Sequence, residues 1–352
     1  MIDLKSLPIS ISLEGTQGTK TGRWGLMQPL FKEKPAPCRQ GCPGSIHIPK
    51  FIHRIQENDL EGAWRVILEN NPLPRVTGRV CFHPCKQGCN RKDYDDAIGI
   101  NALERFVGDW AFKNGLSAIP KPGTSGHKVA VIGAGPAGIG CAFYLSKQGH
   151  RVSLFEAQPE IGGLLRYGIP DYRLPKKILS EELDLTLGST LEVHKGVRVG
   201  IDISWDEIIS EYQGIFLGTG AQNPINLGLA GEGTDAILEG LPFLQNIGEN
   251  IPFEAHQKIL IIGGGNTALD VARTVLRLKG TPLIVYRRTR AEMPAFEDEI
   301  REAEEEGIEI RFLVSPIAVV REGDKLKGLE CLKNRITNEV SAGRRRPEPI
   351  EG

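Results

Sequence analysis

Five cysteines lie close together in the first quarter of the chain. Cys38 and Cys42 have three residues between them, and a proline follows Cys42. After a gap of 38 residues come Cys81, Cys85 and Cys89, again with three residues between neighbours. Thiolates on short loops, one of them followed by proline, are typical of 4Fe–4S ligands. Zinc pairs favour two intervening residues, so zinc and unligated thiols are the weaker alternatives.

Five cysteines exceed the four that one cluster needs and fall short of the eight for two. The count alone therefore leaves the choice of ligands among the five open. The remaining two of the seven cysteines are isolated: Cys141 is expected to be a small core residue, and Cys331 a core or surface residue. No Cys-x-x-Cys pair occurs, which argues against a disulfide reductase of the thioredoxin reductase type.

The first of two glycine-rich segments reads KVAVIGAGPAGIGCAFYLSKQGHRVSLFEA. An apolar strand leads into a helix through Gly133, Gly135, Pro136, Ala137 and Gly138. In such a turn the glycines allow a tight bend, close approach to a pyrophosphate and close helix–strand packing. Glu156 ends the next strand, where a carboxylate can accept hydrogen bonds from ribose hydroxyls. The segment predicts a site for FAD or NAD and disfavours a 2′-phosphate.

A following segment, GGLLRYGIPDYRLPKK, favours FAD at the first site. It places the backbone of Gly163 and Leu164 and the cations Arg166 and Arg173 just beyond the ribose-binding strand. The alternative for the two arginines is salt bridging at the surface.

The second glycine-rich segment reads KILIIGGGNTALDVARTVLRLKGTPLIVYRR. Its turn contains Gly263, Gly264, Gly265, Asn266 and Thr267, with alanine at the third small position. Arg287 and Arg288 end the next strand, where the first segment has its glutamate. Guanidinium groups bind a 2′-phosphate that a carboxylate would repel, so this segment predicts NADPH. A solvated basic strand end is the alternative.

The elements that must position these residues predict an α/β protein. Helical periodicity over 46–70 and 98–114 predicts a helical iron–sulfur domain spanning 1–120. Strand–helix–strand patterns then predict two Rossmann-like domains, for FAD at 127–225 and for NADPH at 226–352. A proline- and glycine-rich linker, 119–127, separates the helical domain from them. The last residues, RRRPEPIEG, are polar and predict neither strand nor helix.

Composition excludes several functions. The 352 residues carry a formal net charge of −1, which gives no argument for nucleic acid or an anionic membrane. No apolar run approaches the ~20 residues of a membrane span, and the first residues lack a secretory signal. We therefore expect a cytoplasmic protein with neither nucleic acid nor membrane as a partner.

The order of these motifs resembles the small subunit family of NADPH-dependent glutamate synthase. The segments that carry the resemblance are GAGPAG, GGLLRYGIPDYRLPK, GTGA, GGGNTALD and YRRTRAEMPA, preceded by the cysteines. The same order is similar to the N-terminal part of dihydropyrimidine dehydrogenase, whose domain II the helical region resembles. The resemblance implies an FAD that takes hydride from NADPH and passes single electrons through iron–sulfur clusters.

Three departures accompany the resemblance. Family members usually hold two clusters. By the resemblance, Cys42, Cys81 and Cys85 match one cluster, with Glu104 where its fourth ligand would lie. Cys38 and Cys89 match the other incompletely, so we expect one cluster. The family continues beyond the position of Gly352 with strands that complete the FAD domain, so we expect that domain to be incomplete here. Nothing in the chain indicates an amidotransferase.

The sequence thus predicts an NADPH-dependent FAD and iron–sulfur oxidoreductase of the glutamate synthase small-subunit type. Hydride transfer needs positioning more than acid–base groups, so no catalytic acid or base is predicted. The expected partner is a large glutamate synthase-type subunit or a ferredoxin-like electron acceptor. The alternatives are a related NADPH:ferredoxin-type oxidoreductase serving another acceptor, and a truncated non-enzymatic remnant.

Overall fold

Six short helices form the first part of the chain in the computed structural model. The model describes residues 34–118, 125–187, 191–221, 227–230, 237–254, 258–323, 325–341 and 343–350. Residues Met1–Ala36 and Pro37–Gly352 form separate units, and the following concerns the second. Residues 1–33 and residues 119–124 of the predicted linker lie outside the described residues.

The helices are α1 (Pro37–Gln40), α2 (Ile48–Gln56), α3 (Leu60–Leu68), α4 (Pro74–Val80), α5 (Pro84–Gln87) and α6 (Ile100–Lys113). The predicted helical run 46–70 is two helices, because Asn58 has a positive φ of 59° and Asp59 caps α3. The Asp59 carboxylate accepts a hydrogen bond from the Gly62 backbone N–H at 2.8 Å. Phe51, Ile67 and Val107 are fully buried between these helices.

The first nucleotide unit is a parallel sheet covered by helices. Its elements are β1 (Lys128–Ile132), α7 (Pro136–Lys147), β2 (Arg151–Glu156), α8 (Leu164–Tyr167), α9 (Lys176–Leu187), β3 (Glu192–Lys195), α10 (Trp205–Glu211) and β4 (Gly214–Leu217). The strand order is β3-β2-β1-β4, with every pairing parallel. All-apolar strands suit such a sheet, because helices bury both of its faces.

The second nucleotide unit repeats the pattern on a smaller sheet. Its elements are α11 (Gly240–Gly248), β5 (Lys258–Ile262), α12 (Asn266–Arg277), β6 (Thr281–Tyr286), α13 (Glu297–Glu305) and β7 (Glu309–Phe312). Its strands are parallel, in the order β5-β6-β7. The second glycine-rich turn follows the carboxyl end of β5, as the first follows that of β1. Nucleotides bind at this edge of doubly wound sheets.

A third sheet follows, with antiparallel order β10-β9-β8. Its strands are β8 (Val314–Glu322), β9 (Lys325–Ser341) and β10 (Arg344–Pro349). The prediction that RRRPEPIEG forms no strand was therefore wrong for residues 344–349. Backbone pairing with β9 makes this strand despite its polar side chains, and the register shifts between Arg345 and Pro347. Proline is tolerated at such irregular positions, where no ladder N–H is needed.

The helical domain is attached to the first nucleotide unit through a buried arginine. Arg75 of α4 donates from its guanidinium to Asp109 at 3.1 Å and to Glu181 of α9 at 2.9 Å. Its backbone N–H donates to Glu182 of α9 at 3.1 Å. The Thr186 hydroxyl also donates to the Pro72 carbonyl at 2.9 Å. Hydrogen bonds to buried charges are worth more than neutral ones, so these contacts fix the domains together.

The Glu182 carboxyl predicts a pH dependence of stability. Burial raises the pKa of Glu182 to about 8, against the lowering effect of the Arg75 N–H and charge. The folded form binds the proton more tightly, so this contribution is complete below the unfolded pKa near 4.5 and is lost as pH rises through about 8. Glu182→Gln should show a smaller fall in unfolding free energy between pH 5 and 9 than the wild type. Denaturant titrations at both pH values measure it, and equal falls would contradict the burial argument.

Candidate functional site

The first glycine-rich turn closes tightly between β1 and α7. Gly133 has a φ of 98°, and a Cβ there would lie 2.4 Å from the Gly218 carbonyl oxygen. A Cβ on Gly138 would lie 1.8 Å from the Gly133 carbonyl oxygen. At Gly135, by contrast, the nearest atom to a Cβ is the Gly163 Cα at 3.9 Å. The turn is therefore closed on the strand side and open at the helix N-terminus, where a pyrophosphate fits.

Glu156 is buried at the end of β2 and is held by backbone N–H groups. Its carboxylate accepts from Ala134 at 2.8 Å and from Gln158 at 2.8 Å. The Ala134 bond ties the acid directly to the glycine-rich turn. A carboxylate has more acceptor positions than these two bonds use, so it can still accept from a ribose.

The segment after β2 lies against the same turn. Gly163 has a φ of 52°, and a Cβ there would lie 2.7 Å from the Gly135 Cα. The Gly162 N–H donates to the Ala134 carbonyl at 2.8 Å. The exposed side chain of Leu164 follows at the first residue of α8. The structure thus brings Gly163 next to the first glycine-rich turn, as binding of one cofactor by both segments requires.

The two arginines of this segment contact protein groups. Arg166 donates to the Ile161 carbonyl at 2.7 Å and to the Ser180 hydroxyl at 3.1 Å. Arg173 lies against Asp270 and Glu299, which belong to the second nucleotide unit. The predicted FAD contact of Arg173 would compete with these ion pairs.

The second glycine-rich turn has the same open end. Gly265 caps α12, and the nearest atom to a Cβ there is Pro294 Cγ at 3.9 Å. Asn266 begins the helix, and its side-chain oxygen accepts from the Phe296 N–H at 3.0 Å. Thr267 is exposed beside Asn266. Gly264 packs on Tyr286, whose ring would lie 2.7 Å from a Cβ.

Arg287 and Arg288 have different environments. Arg288 is 6% exposed, and its Nε donates to the Arg345 carbonyl of β10 at 2.8 Å. Arg287 is exposed, and its guanidinium makes no ion pair with any described residue. Of the two arginines predicted to bind the 2′-phosphate, Arg287 is therefore available to do so, whereas Arg288 already contacts β10.

The two cysteine segments pack against each other. A Cβ on Gly41 would lie 3.1 Å from the Pro84 carbonyl oxygen, and one on Gly88 would lie 3.2 Å from that of Pro37. These contacts bring Cys38 and Cys42 to the segment of the other three cysteines. Glycine favours both contacts, because a Cβ at either position would require the facing backbone to move by a few tenths of an ångström.

The cysteine side chains are neighbours, and Cys42 lies near both Cys38 and Cys85. Burial, together with the nearby Cys42, Cys81 and Glu104, raises the pKa of Cys85 to about 11. Burial also raises the pKa of Cys38, with the neighbouring Cys89 and Cys42 adding to the effect. Which four of these residues bind a cluster stays a prediction.

Over the described ranges, no three or more His, Cys, Asp or Glu side chains form a site for a metal ion. A cluster sets a different requirement, because each ligand binds a separate iron and the ligands surround a volume. Several thiols on two adjoining loops fit that requirement. Cys42, Cys81 and Cys85 would supply three of the ligands.

Glu104 is buried at the edge of this group. Its carboxylate accepts from the Asn71 amide at 2.7 Å and from the Thr77 hydroxyl. Burial raises the pKa of Glu104 to about 7, against the lowering effect of these two hydrogen bonds. A carboxyl held in this way can be a ligand or a buried structural acid.

Sequence reasoning missed an aromatic contact between the cysteine domain and the second nucleotide unit. Phe82 directly follows Cys81, and its ring stacks on Phe296 with centroids 4.7 Å apart and planes 4° apart. Phe82 is nevertheless 52% exposed, and a phenylalanine beside a cysteine gives no signal of such a partner.

Of the helices in the described ranges, none is long and apolar enough to cross a membrane.

Two family models match the chain. Residues 31–116 match dihydropyrimidine dehydrogenase domain II, 4Fe-4S cluster, and residues 127–342 match pyridine nucleotide-disulphide oxidoreductase. The second match spans more than half of the chain. The protein therefore belongs to the pyridine nucleotide-disulphide oxidoreductase family, with a 4Fe–4S domain before the nucleotide domains.

Several curated proteins are similar along most of the chain. The beta subunit of NADP(+)-dependent formate dehydrogenase from Moorella thermoacetica is 37% identical, over 90% of this chain and 48% of its own. The beta subunit of NADPH-Fe(3+) oxidoreductase from Geobacter sulfurreducens is 38% identical, with the same coverage. The small chain of glutamate synthase [NADPH] from Escherichia coli is 33% identical, over 90% of this chain and 70% of its own. The chain thus spans about half the length of the first two relatives.

Among solved structures, FprA from Mycobacterium tuberculosis in complex with NADPH has a similar fold. The TM-score is 0.56 at 19% identity, over 66% of this chain and 68% of that chain. The predicted resemblance to the glutamate synthase small-subunit family, the fold class and the oxidoreductase class are confirmed. The matched domains also bear out the predicted cofactors FAD, NADPH and 4Fe–4S. The domain boundaries and the individual binding residues stay predictions.

Proposed function

We propose that this protein oxidises NADPH through FAD and delivers the electrons to a 4Fe–4S cluster in its helical domain. The observation that carries the proposal is the contact of the cysteine domain with both nucleotide units. Arg75 joins it to α9, and Phe82, next to Cys81, stacks on Phe296. A cluster at Cys42, Cys81 and Cys85 would thus be held by the same body that holds the nucleotides.

When bound, FAD accepts two electrons as hydride from NADPH and can release them one at a time. The residues of the chain bind and orient the two nucleotides. The open helix ends at Gly135 and Gly265 accept the pyrophosphates, and Glu156 accepts from the ribose of FAD. Arg287 supplies the charge for the 2′-phosphate of NADPH. Hydride and electron transfer do not require a side chain to give up a proton, so no catalytic acid or base is assigned.

We propose a partner protein as the final acceptor. The formate dehydrogenase and Fe(3+) oxidoreductase relatives are named as beta subunits, and the glutamate synthase relative as a small chain. These names differ in the reaction of the complex, although the three relatives are 33–38% identical to this chain. A large glutamate synthase-type subunit and a ferredoxin-like protein are the two acceptors to test.

Iron content and cluster reduction test the proposal. Anaerobically purified protein should contain about four irons per chain, and NADPH should produce a cluster signal in electron paramagnetic resonance. Cys85→Ser should lose that signal while NADPH still bleaches the flavin, because the hydride step does not involve the cysteines. Cys331→Ser, which changes a cysteine at the distant β8–β9 pairing, is the matched control. Stoichiometric zinc without iron would contradict the cluster.

A further inference from the structure

We propose that Tyr172 and Arg173 are positioning residues that fix the second nucleotide unit against the first for hydride transfer. These two residues, here named the Tyr172–Arg173 latch, lie between α8 and α9 of the first unit. They contact α12 and α13 of the second. The inference rests on the proposed function, because it concerns how the two nucleotides meet.

Arg173 bridges two carboxylates on two different helices. Its Nη1 lies 2.8 Å from Asp270 Oδ2 and 3.0 Å from Oδ1, and its Nη2 lies 2.9 Å from Glu299 Oε1. The side chains of Arg173 and Asp270 are 11% and 6% exposed. Ion pairs removed from water in this way are directional, and their loss leaves a buried charge unpaired. The planar guanidinium has several N–H donors in a fixed arrangement, which suits the binding of two carboxylates at once.

Tyr172 strengthens the same contact from the side. Its hydroxyl donates to Asp270 Oδ1 at 3.4 Å. The Arg277 guanidinium lies 3.9 Å from the centroid of its ring, and that of Arg273 lies 5.1 Å away. Cations over an aromatic face are attracted by its quadrupole, so α12 binds the tyrosine as well as the arginine.

The carboxylate of Glu299, which Arg173 contacts, is also held by a second arginine. Arg273 of α12 lies 2.8 Å from Glu299, 3.0 Å from Glu302 and 2.7 Å from Glu306. It therefore joins α13 to α12 within the second unit and presents Glu299 to Arg173. Glu299 is shared between Arg273 and Arg173, which makes the internal contact and the contact between units one network.

The position of Asp270 links this network to the nucleotide. Asp270 lies four residues, about one helical turn, after Asn266 at the start of α12. The latch therefore fixes the helix end that faces NADPH relative to the unit that binds FAD. Hydride transfer requires reacting atoms about 3–3.5 Å apart, and a shift of about 1 Å can cost a hundredfold in rate.

The test uses full-length, FAD-loaded protein with Arg173→Met, Asp270→Asn, the double variant and Arg173→Lys. Arg301→Met is the control, because Arg301 pairs only with Asp298 and Glu305 of its own helix among the described residues. Flavin reduction is followed by stopped flow at saturating NADPH, and NADPH affinity is measured by titration with a non-reacting NADP analogue. Hydrogen exchange of peptides from α12 and residues 168–175 reports the contact without any turnover.

We expect the reduction rate of Arg173→Met to fall about tenfold or more, with nucleotide affinity and bound FAD nearly unchanged. Exchange should rise on both sides of the contact. The double variant should be no slower than the slower single variant, because both remove the same ion pair. Arg173→Lys should recover part of the rate, and Arg301→Met should match the wild type.

Two results would overturn the latch. If Arg173→Met keeps the wild-type rate of flavin reduction and the wild-type hydrogen exchange, the contact does not position the two units. Loss of FAD with unchanged exchange in α12 would assign Arg173 to the flavin instead. If wild-type flavin is not reduced by NADPH at all, the proposed function fails and the positioning role fails with it. Raised exchange in Arg173→Met would then still show that the pair joins the two units.

Discussion

Replacing Arg287 with alanine should weaken NADPH binding about tenfold to a hundredfold and leave NADH binding nearly unchanged. A charge-assisted hydrogen bond contributes roughly 1.5–3 kcal/mol, and each 1.4 kcal/mol is about tenfold in affinity. The Arg287 guanidinium is exposed at the end of β6 and makes no ion pair with a described residue. NADH has no 2′-phosphate, so the substitution removes nothing that NADH uses. Titration with both nucleotides at fixed salt measures the difference.

Arg288→Ala is the matched neighbour with a different expected result. Its side chain is buried and donates to the Arg345 carbonyl, so its loss leaves that acceptor unpaired at a cost of about 1–3 kcal/mol. Stability should fall, with similar small effects on NADPH and NADH. If instead Arg288→Ala selectively loses NADPH and Arg287→Ala does not, the roles of the two residues are reversed. A wild type that prefers NADH would remove the phosphate site altogether.

Gly138→Ala should abolish tight FAD binding and lower the stability of the protein, although alanine occupies the corresponding position of the second glycine-rich turn. A Cβ at 138 would meet the Gly133 carbonyl oxygen at 1.8 Å, and backbone atoms would have to move. Since Gly133 also packs on the Gly218 carbonyl, the turn cannot shift freely. The measurements are the FAD dissociation constant and the thermal midpoint of the apoprotein.

Gly140→Ala is the control, two residues further along the same helix. A Cβ at Gly140 meets no atom within 4 Å, so the variant should keep FAD. Its stability should be equal or slightly higher, because alanine favours a helix by about 1 kcal/mol over glycine. Equal FAD affinity in Gly138→Ala and the wild type would show that the first turn can relax as the second does.

The regular elements and their cofactor turns could be predicted from sequence because local rules determine them. Apolar strands that end in glycine-rich turns fixed both nucleotide units, and the cysteine spacing indicated the iron–sulfur domain. The break between α2 and α3 was missed, because Asn58 and Asp59 interrupt the helix without interrupting its apolar periodicity. Strand β10 was missed because its partner supplies the order that its own side chains do not.

Side-chain roles were less predictable than elements, because distant residues determine them. Arg287 and Arg288 are adjacent and chemically identical, but Arg288 is buried and contacts the Arg345 carbonyl, 57 residues further on, whereas Arg287 is exposed. Arg173 was assigned to FAD from its place after the ribose-binding strand. Its two carboxylates lie 97 and 126 residues later, on helices whose acidic residues are otherwise typical of a solvated surface.

Residues 296–306 contribute to all three parts of the protein. Phe296 contacts the helical domain, Glu299 contacts the first nucleotide unit, and Glu306 binds Arg273 and Arg277 within the second. A one-residue deletion within α13 would turn the residues on either side by about 100° relative to one another, so these contacts could not all persist. Recombination between related proteins should therefore exchange α12, α13 and residues 172–173 together. A chimera that takes only the glycine-rich turn would inherit a nucleotide site aimed by the wrong helix.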